Sequence, residues 1–205
     1  MSIGLIQASG NQNVASRSTI LWLRWKAKGF LVLGMHKQAS LVFREILAVA
    51  PDDVLAISSL GYEALQSGRM HDAIEFFEKL VLVSPQNSNA HFNLGFVLEA
   101  LGRSEEAERA FRTALRMDEK MDRAWYGLGL ALVRQRRFEE ALDAFKRNTQ
   151  LQSMSPYAWY QMARVHMEMN QPDEALEVMR HLNGFEPKVA AQLERETGLK
   201  LMAAK

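Results

Sequence analysis

The side chains best suited to chemistry in this chain are its histidines and carboxylates. The five histidines, His36, His71, His91, His166 and His181, share no spacing that would place ligands around one metal ion. The chain has no cysteine, hence no thiolate nucleophile or thiolate metal site. No glycine-rich phosphate loop, nucleophile elbow or pair of catalytic carboxylates occurs. The sequence therefore predicts a protein that is not an enzyme and needs no metal or other cofactor.

Two groups of apparently reactive residues have a simpler structural interpretation. The glutamate pairs 105–106 and 139–140 each stand at the start of a predicted helix, where negative charge is favourable. They need no acid–base role. His91 occupies the position that Trp125 and Trp159 fill 34 and 68 residues later, which indicates a packing role.

The elements that would position any functional residue follow a pattern that recurs every 34 residues. Its clearest copy, residues 88–121, has Leu94, Gly95, Gly102, Ala107 and Phe111 as fixed points. The matching residues are Leu60, Gly61, Gly68, Ala73 and Phe77 one period earlier, and Leu128, Gly129, Arg136, Ala141 and Phe145 one period later. A period of this length is typical of stacked helical repeats. The sequence thus predicts an all-α solenoid of stacked antiparallel helix pairs.

The period divides the chain into five units between two ends. Small residues at Gly95 and Ala107 would let the two helices of one unit approach closely, while Phe111 fills the space between units. Gly102 would supply a left-handed or otherwise permissive turn between the helices. The predicted divisions are a flexible segment 1–19, repeats 20–53, 54–87, 88–121, 122–155 and 156–189, and a capping helix with a loose tail, 190–205.

These positions resemble the tetratricopeptide repeat family. Its pattern of Trp, Leu-Gly, Tyr, Ala, Phe, Ala and Pro is matched in residues 122–155 by Trp125, Leu128, Gly129, Ala141 and Phe145. The resemblance covers about residues 20–189 and is poorest in the first unit, where Lys26 and Ala27 replace Leu-Gly. It implies a right-handed superhelix and a scaffold that binds peptides or proteins without catalysis of its own.

The first helix of each unit has a second apolar stripe, which is the main indication of a binding surface. At about 100° per residue, Val97 and Leu98 lie on the packing side, whereas Phe92 and Phe96 lie nearly opposite. In the family this side lines the concave surface, although aromatic residues there also serve local packing. The predicted peptide-binding groove consists of Tyr62, Phe92, Asn93, Phe96, Arg123, Tyr126, Leu130, Tyr160 and Arg164.

Charge on the same side bears on the partner. Arginines and lysines at 24, 28, 123, 134 and 164 outnumber the glutamates at 99 and 168. We therefore expect a protein or peptide partner that is apolar with some acidic character. The net charge of +1 gives no general attraction to nucleic acid or to an anionic membrane.

The N-terminal part carries an aromatic patch with two interpretations. The apolar run 20–33 is too short to span a bilayer and is interrupted by Arg24, Lys26 and Lys28, so no transmembrane segment and a cytoplasmic location are expected. The patch from Trp22 to Lys26 fits either an interfacial membrane anchor or an irregular first helix. The second interpretation is favoured.

One departure from the repeat concerns its packing. Asn148 and Thr149 replace Ala114 and Leu115, which should pack against the next unit. Either Asn148 has a hydrogen-bond partner in the junction between the fourth and fifth units, or that junction is loose. The repeat pattern predicts that Asn148→Ala is neutral or stabilising.

Three hypotheses for function follow from these features. The first is a non-catalytic adaptor that binds a segment of another protein in its groove. The second is a homo-oligomer in which the groove or an open end takes a helix of a neighbouring copy. The third is a secretion or assembly chaperone, because some bacterial chaperones of that kind resemble short repeat stacks of this family.

Overall fold

The computed structural model describes residues 17–201, which form eleven α-helices joined by short turns. No β-strand occurs within these residues. The helices are α1 (Arg17–Val32), α2 (His36–Val49), α3 (Val54–Gln66), α4 (Met70–Val83), α5 (Ser88–Ala100), α6 (Ser104–Met117), α7 (Asp122–Arg134), α8 (Phe138–Leu151), α9 (Pro156–Glu168), α10 (Pro172–Asn183) and α11 (Pro187–Thr197). Consecutive helices pack in pairs, from α1 with α2 to α9 with α10. The predicted all-α architecture of helix pairs is confirmed.

Helix starts follow the period read from the sequence. The first helices α3, α5, α7 and α9 begin at residues 54, 88, 122 and 156, and the second helices α2, α4, α6, α8 and α10 begin at 36, 70, 104, 138 and 172. Within each series the starts are 34 residues apart, because the same turn and packing residues recur at that spacing.

The two ends differ from the predicted boundaries. Residues 17–19, expected to be flexible, belong to α1, and the rest of the segment expected to be flexible lies outside the described residues. The capping helix α11 begins at Pro187, so a division after residue 189 cuts through its first turn. The tail is held where it leaves α11, since the Leu201 backbone N–H donates to Glu194 Oε1 at 2.6 Å. Residues 202–205 also lie outside the described part.

The chain falls into two compact units, Met1–Val83 and Ser84–Lys205. The core of the first is built around Leu23, Ala27, Phe43 and Ile46, which are buried between α1 and α2. The core of the second includes Phe111 and Phe145, both fully buried. In each unit large aromatic rings are packed against small residues of the facing helices.

Turns between paired helices adopt the left-handed conformation, which was one of the two alternatives expected for Gly102. Gly34, Gly68 and Gly102 have φ angles of 70°, 71° and 76°, which glycine adopts without steric penalty. Arg136 and Asn170 occupy the same turn position with φ angles of 58° and 57°. Period and neighbouring packing therefore impose the turn even where the sequence does not supply glycine.

A repeated hydrogen bond explains His91. Its Nε2 lies 2.9 Å from the carbonyl oxygen of Pro85, six residues earlier. The Nε1–H groups of Trp125 and Trp159 donate to the carbonyl oxygens of Glu119 and Ser153 at 2.8 and 3.0 Å, also six residues earlier. His91 thus makes the same contact as its two tryptophan counterparts, which agrees with the predicted packing role.

Candidate functional site

An apolar pocket of about 240 Å³ opens between α5 and α7 in the second compact unit, residues 84–205. Its walls are Phe92 and Phe96 on α5 and Tyr126 and Leu130 on α7. The full lining is Phe92, Phe96, Glu99, Phe111, Asp122, Arg123, Tyr126, Gly127, Leu130, Asn148, Ser155 and Tyr157. We call this space the α5–α7 pocket.

Helical spacing on α5 and α7 creates the two walls. Phe92 and Phe96 are four residues apart, as are Tyr126 and Leu130, so each pair shares one helix face. Phe92 is 8% exposed and its ring centroid lies 6.0 Å from that of Phe111, whereas Phe96 is 45% exposed. Phe92 therefore forms the floor and Phe96 the rim. Phe92 is thus a predicted groove residue whose side chain is buried.

Gly127 makes room for the floor of the pocket. A Cβ atom at this position would lie 2.5 Å from Cζ of Phe111. Only a residue without a side chain lets the Phe111 ring come so close to α7. The pocket floor thus depends on a glycine beyond the one that the repeat pattern requires at residue 129.

Arg123 lies at the pocket and forms no ion pair with any carboxylate in the described part of the chain. The Arg123 guanidinium carbon lies 4.8 Å from the centroid of the Phe92 ring, in a cation–π arrangement. Among residues 17–201 no carboxylate lies within ion-pair distance of Arg123, while Arg134 pairs with Glu99 at 2.7 Å. Arg123 is thus available to an acidic group of a ligand.

Asn148 supports the edge of the pocket. Its buried side-chain Nδ2 donates a hydrogen bond to the backbone carbonyl oxygen of Asp122 at 2.8 Å. The partner lies in the same helix pair, on the first residue of α7, and not in the junction to the next pair. Asn148 is consequently a satisfied buried amide that fixes α8 to the start of α7.

A basic cluster lies one helical turn beyond the pocket along α7. Arg134, Arg136 and Arg164 line a shallow cavity of about 380 Å³ together with Glu168. Leu130 and Arg134 share a face of α7, since they are four residues apart. A ligand segment anchored in the pocket would reach these arginines by extending along α7.

Comparisons with known proteins decide the family. Two family models described as tetratricopeptide repeat match the chain, one at residues 58–108 and 92–149, the other at residues 132–194. The chain belongs to the tetratricopeptide repeat family. No curated protein sequence matches it significantly.

Solved structures of other tetratricopeptide repeat proteins share the fold. A crystal structure of MamA protein has 18% sequence identity, a TM-score of 0.78, and coverage of 92% of this chain and 100% of that chain. MamA residues 41 to the end from Desulfovibrio magneticus RS-1 match with 18% identity, 90% and 100% coverage and a TM-score of 0.76. YrrB, a TPR protein with an unusual peptide-binding site, matches with 19% identity, 82% and 88% coverage and a TM-score of 0.75.

In repeat terms, the α5–α7 pocket lies between the first helices of two successive tetratricopeptide repeats. It brings together five of the nine predicted groove residues, namely Phe92, Phe96, Arg123, Tyr126 and Leu130. Asn93 is buried and does not line it. Tyr62 lies in the first compact unit, packed edge-on against Phe77 at 5.7 Å.

The remaining two predicted groove residues contact each other, and Tyr160 also contacts the capping helix. The Tyr160 hydroxyl donates to Glu196 Oε2 of α11 at 2.5 Å, and Arg164 lies 5.8 Å from the Tyr160 ring centroid. Burial, and then the neighbouring Glu196 carboxylate, raise the pKa of Tyr160 above its ordinary value. In the fifth repeat the capping helix α11 thus supplies a hydrogen-bond partner for the Tyr160 side chain.

Seven of the twelve residues that line the pocket were not among the predicted groove residues, and three of these seven bear on its shape. Tyr157 and Asn148 line the pocket, as does Gly127. The signal for Gly127 was present, because residues 126–129 contain a second glycine where the repeat pattern calls for one. Asn148 was recognised as a departure from the repeat, but its role at the pocket was not.

Proposed function

We propose that this chain is a non-catalytic scaffold that binds a segment of another protein through the α5–α7 pocket. The observation that carries the proposal is an apolar cavity with aromatic walls and a half-exposed Phe96 at its rim. Its volume is below the range of about 300–1,000 Å³ typical of drug-sized ligands. One or two apolar side chains of a peptide suit it better than a whole small molecule.

Arginines give the proposed ligand a second feature. Arg123 lies at the pocket without a carboxylate partner among the described residues, and Arg134, Arg136 and Arg164 follow along the same side. We infer a segment with an apolar anchor followed by an acidic residue. A cytoplasmic location is part of this proposal, since a chain without cysteine is compatible with a reducing compartment.

The fold relationship supports the proposal from another direction. YrrB is a TPR protein with an unusual peptide-binding site, and its structure covers 82% of this chain. That binding property belongs to YrrB. It supports the proposal because YrrB shares the fold of this chain.

Site-specific cross-linking tests the proposed function. A photoreactive benzoylphenylalanine replaces Phe96, and a matched control chain carries it at Leu82, which is exposed on α4. Both chains are mixed with a random peptide library and irradiated. We expect cross-linked peptides at position 96 to be enriched in a large apolar residue near an acidic one, with no such consensus at position 82. Equal, sequence-independent cross-linking at both positions would contradict the proposal.

A further inference from the structure

The outward face of α1 is more apolar than a solvent-exposed helix face should be. Trp22 and Trp25 are 60% and 68% exposed, and Val32 at the end of the helix is 87% exposed. Leu21 and Leu33 are exposed as well. Single exposed apolar residues are normal, but a contiguous group marks a contact surface. We call these five residues the Trp face.

The Trp face lies opposite the side that α1 buries in the first unit. Leu23 and Ala27 are buried against α2 and α3. At about 100° per residue, Trp25 points about 180° away from the midpoint between Leu23 and Ala27 around the helix axis. Trp22 and Val32 lie on either side of Trp25 and are about 80° apart around the same axis. The helix thus has one apolar side for its own core and another with no cover in the described structure.

Cations flank the Trp face on both sides. Lys26 and Lys28 lie to either side of Trp25 by helical position, and their ammonium groups lie 5.0 and 5.7 Å from the rings of Trp22 and Trp25. Neither lysine pairs with a carboxylate among residues 17–201. Lysines beside an apolar stripe are typical of helices that lie in a membrane interface, where the stem follows the apolar face and the ammonium reaches the headgroups.

Charge in this part of the chain has a single sign. Six arginines and lysines precede the first carboxylate, Glu45, and one of them, Arg24, is neutralised by Asp53 at 2.6 Å. Two copies meeting through the Trp face would bring like charges together, which opposes association. Three of the five residues of the Trp face, Leu21, Val32 and Leu33, are aliphatic and offer no ring on which a nucleic-acid base could stack. The combination of tryptophan, aliphatic tip and unpaired cations fits the interface of an anionic lipid bilayer.

We propose that the Trp face of α1 binds peripherally to anionic lipid membranes, with Trp22, Trp25 and Val32 entering the interface and Lys26 and Lys28 contacting anionic headgroups. No helix within residues 17–201 has the length and apolar character needed to cross a bilayer, so the contact is with one surface. The proposal concerns the first compact unit and is independent of the α5–α7 pocket.

Vesicle sedimentation tests this binding with the full chain. We expect the wild type to sediment with vesicles of two parts phosphatidylcholine to one part phosphatidylglycerol and to stay in solution with phosphatidylcholine alone. Trp22→Ala with Trp25→Ala, and Lys26→Glu with Lys28→Glu, should each lower the partition coefficient at least tenfold. Matched controls are Leu82→Ala for exposed apolar area and Lys146→Glu with Arg147→Glu for the same change in charge on α8.

Tryptophan fluorescence shows whether the rings enter the lipid. In a Trp125→Phe, Trp159→Phe background only Trp22 and Trp25 emit, and we expect a blue shift with anionic vesicles. Circular dichroism verifies that each variant is folded. Equal binding to both vesicle types, full binding by the folded tryptophan variant, or no blue shift would overturn the proposal. Light scattering that shows a dimer dissociated by Trp22→Ala with Trp25→Ala, without vesicle binding, would assign the face to a second copy instead.

Discussion

The ring of Phe111 occupies the space that a side chain at residue 127 would need. An ideal Cβ on Gly127 lies 2.5 Å from Cζ of Phe111, and one on Gly95 lies 2.9 Å from the same ring. Phe111 on α6 is therefore held between the first helices of two successive repeats. This arrangement fixes the distance between α5 and α7, and with it the width of the pocket.

Gly127→Ala should destabilise the protein by about 1–3 kcal/mol, because the added methyl group forces the Phe111 ring or α7 to move. Gly29→Ala is the matched control, since Gly29 lies in α1 and nothing comes within 4 Å of its added Cβ. The control substitution should leave the free energy of unfolding unchanged or raise it by up to about 1 kcal/mol, because alanine has the higher helix propensity. Urea denaturation measures both. Equal effects of the two substitutions would mean that the close approach does not matter.

Phe111→Ala should lower the free energy of unfolding by about 3–5 kcal/mol, as expected for a large buried side chain. Phe96→Ala offers the comparison within the same unit, because its ring is half-exposed and its loss should be clearly smaller. Chemical denaturation of both variants gives the difference. A loss below about 1 kcal/mol for Phe111→Ala would show that the repeat register assigned from the sequence is wrong.

Asn148→Ala should lower the free energy of unfolding by about 1 kcal/mol, which is the ordinary net contribution of a buried hydrogen bond. This reverses the expectation from the repeat pattern, because the structure gives the amide a partner in the Asp122 carbonyl. Gln150→Ala, an exposed position on the same helix, should change stability by less than about 0.5 kcal/mol. If thermal unfolding shows Asn148→Ala to be neutral, the repeat pattern was the better guide.

The sequence predicted the helix pairs well because their signals are local and recur. Turn residues, small residues and the ring at 111 each appear at the same offset, and even Arg136 follows the turn conformation of Gly102. The site was predictable only in part. Helical periodicity placed Phe96 and Tyr126 on one side, but the periodicity of one helix does not reveal which neighbour covers it. Hence the engagement of Tyr160 by α11 was missed.

Stability should fall with acid partly through Glu108. Burial alone would raise its pKa, but hydrogen bonds from Arg112, Gln135 and Arg137 outweigh burial and lower the pKa below 4.5. A lowered folded-state pKa means that the stabilisation is complete above the unfolded value and is lost as pH falls through the folded value. Glu108→Gln should therefore have a lower free energy of unfolding than wild type at pH 7. Below pH 4.5 this difference in the free energy of unfolding should become smaller.

Unfolding experiments across this pH range measure the effect of Glu108. Glu105→Gln serves as a control, because Glu105 is exposed and forms no ion pair within the described residues. We expect the difference between wild type and Glu108→Gln to shrink as pH falls below 4.5, while Glu105→Gln follows wild type throughout. A difference for Glu108→Gln that is independent of pH would show that the ionised network of Arg112 and Arg137 contributes nothing.

The affinity of a selected peptide for wild type and for Phe96→Ala with Tyr126→Ala tests the central claim most directly. Aromatic anchors often contribute about 2 kcal/mol or more each at an interface, so the loss of two should raise Kd by a factor on the order of 10³. Thermal stability should fall less than in Phe111→Ala, since Phe96 is half-exposed. Leu82→Ala, exposed on α4, should bind as wild type. A folded double variant that binds the peptide with unchanged Kd would contradict the pocket as the binding site.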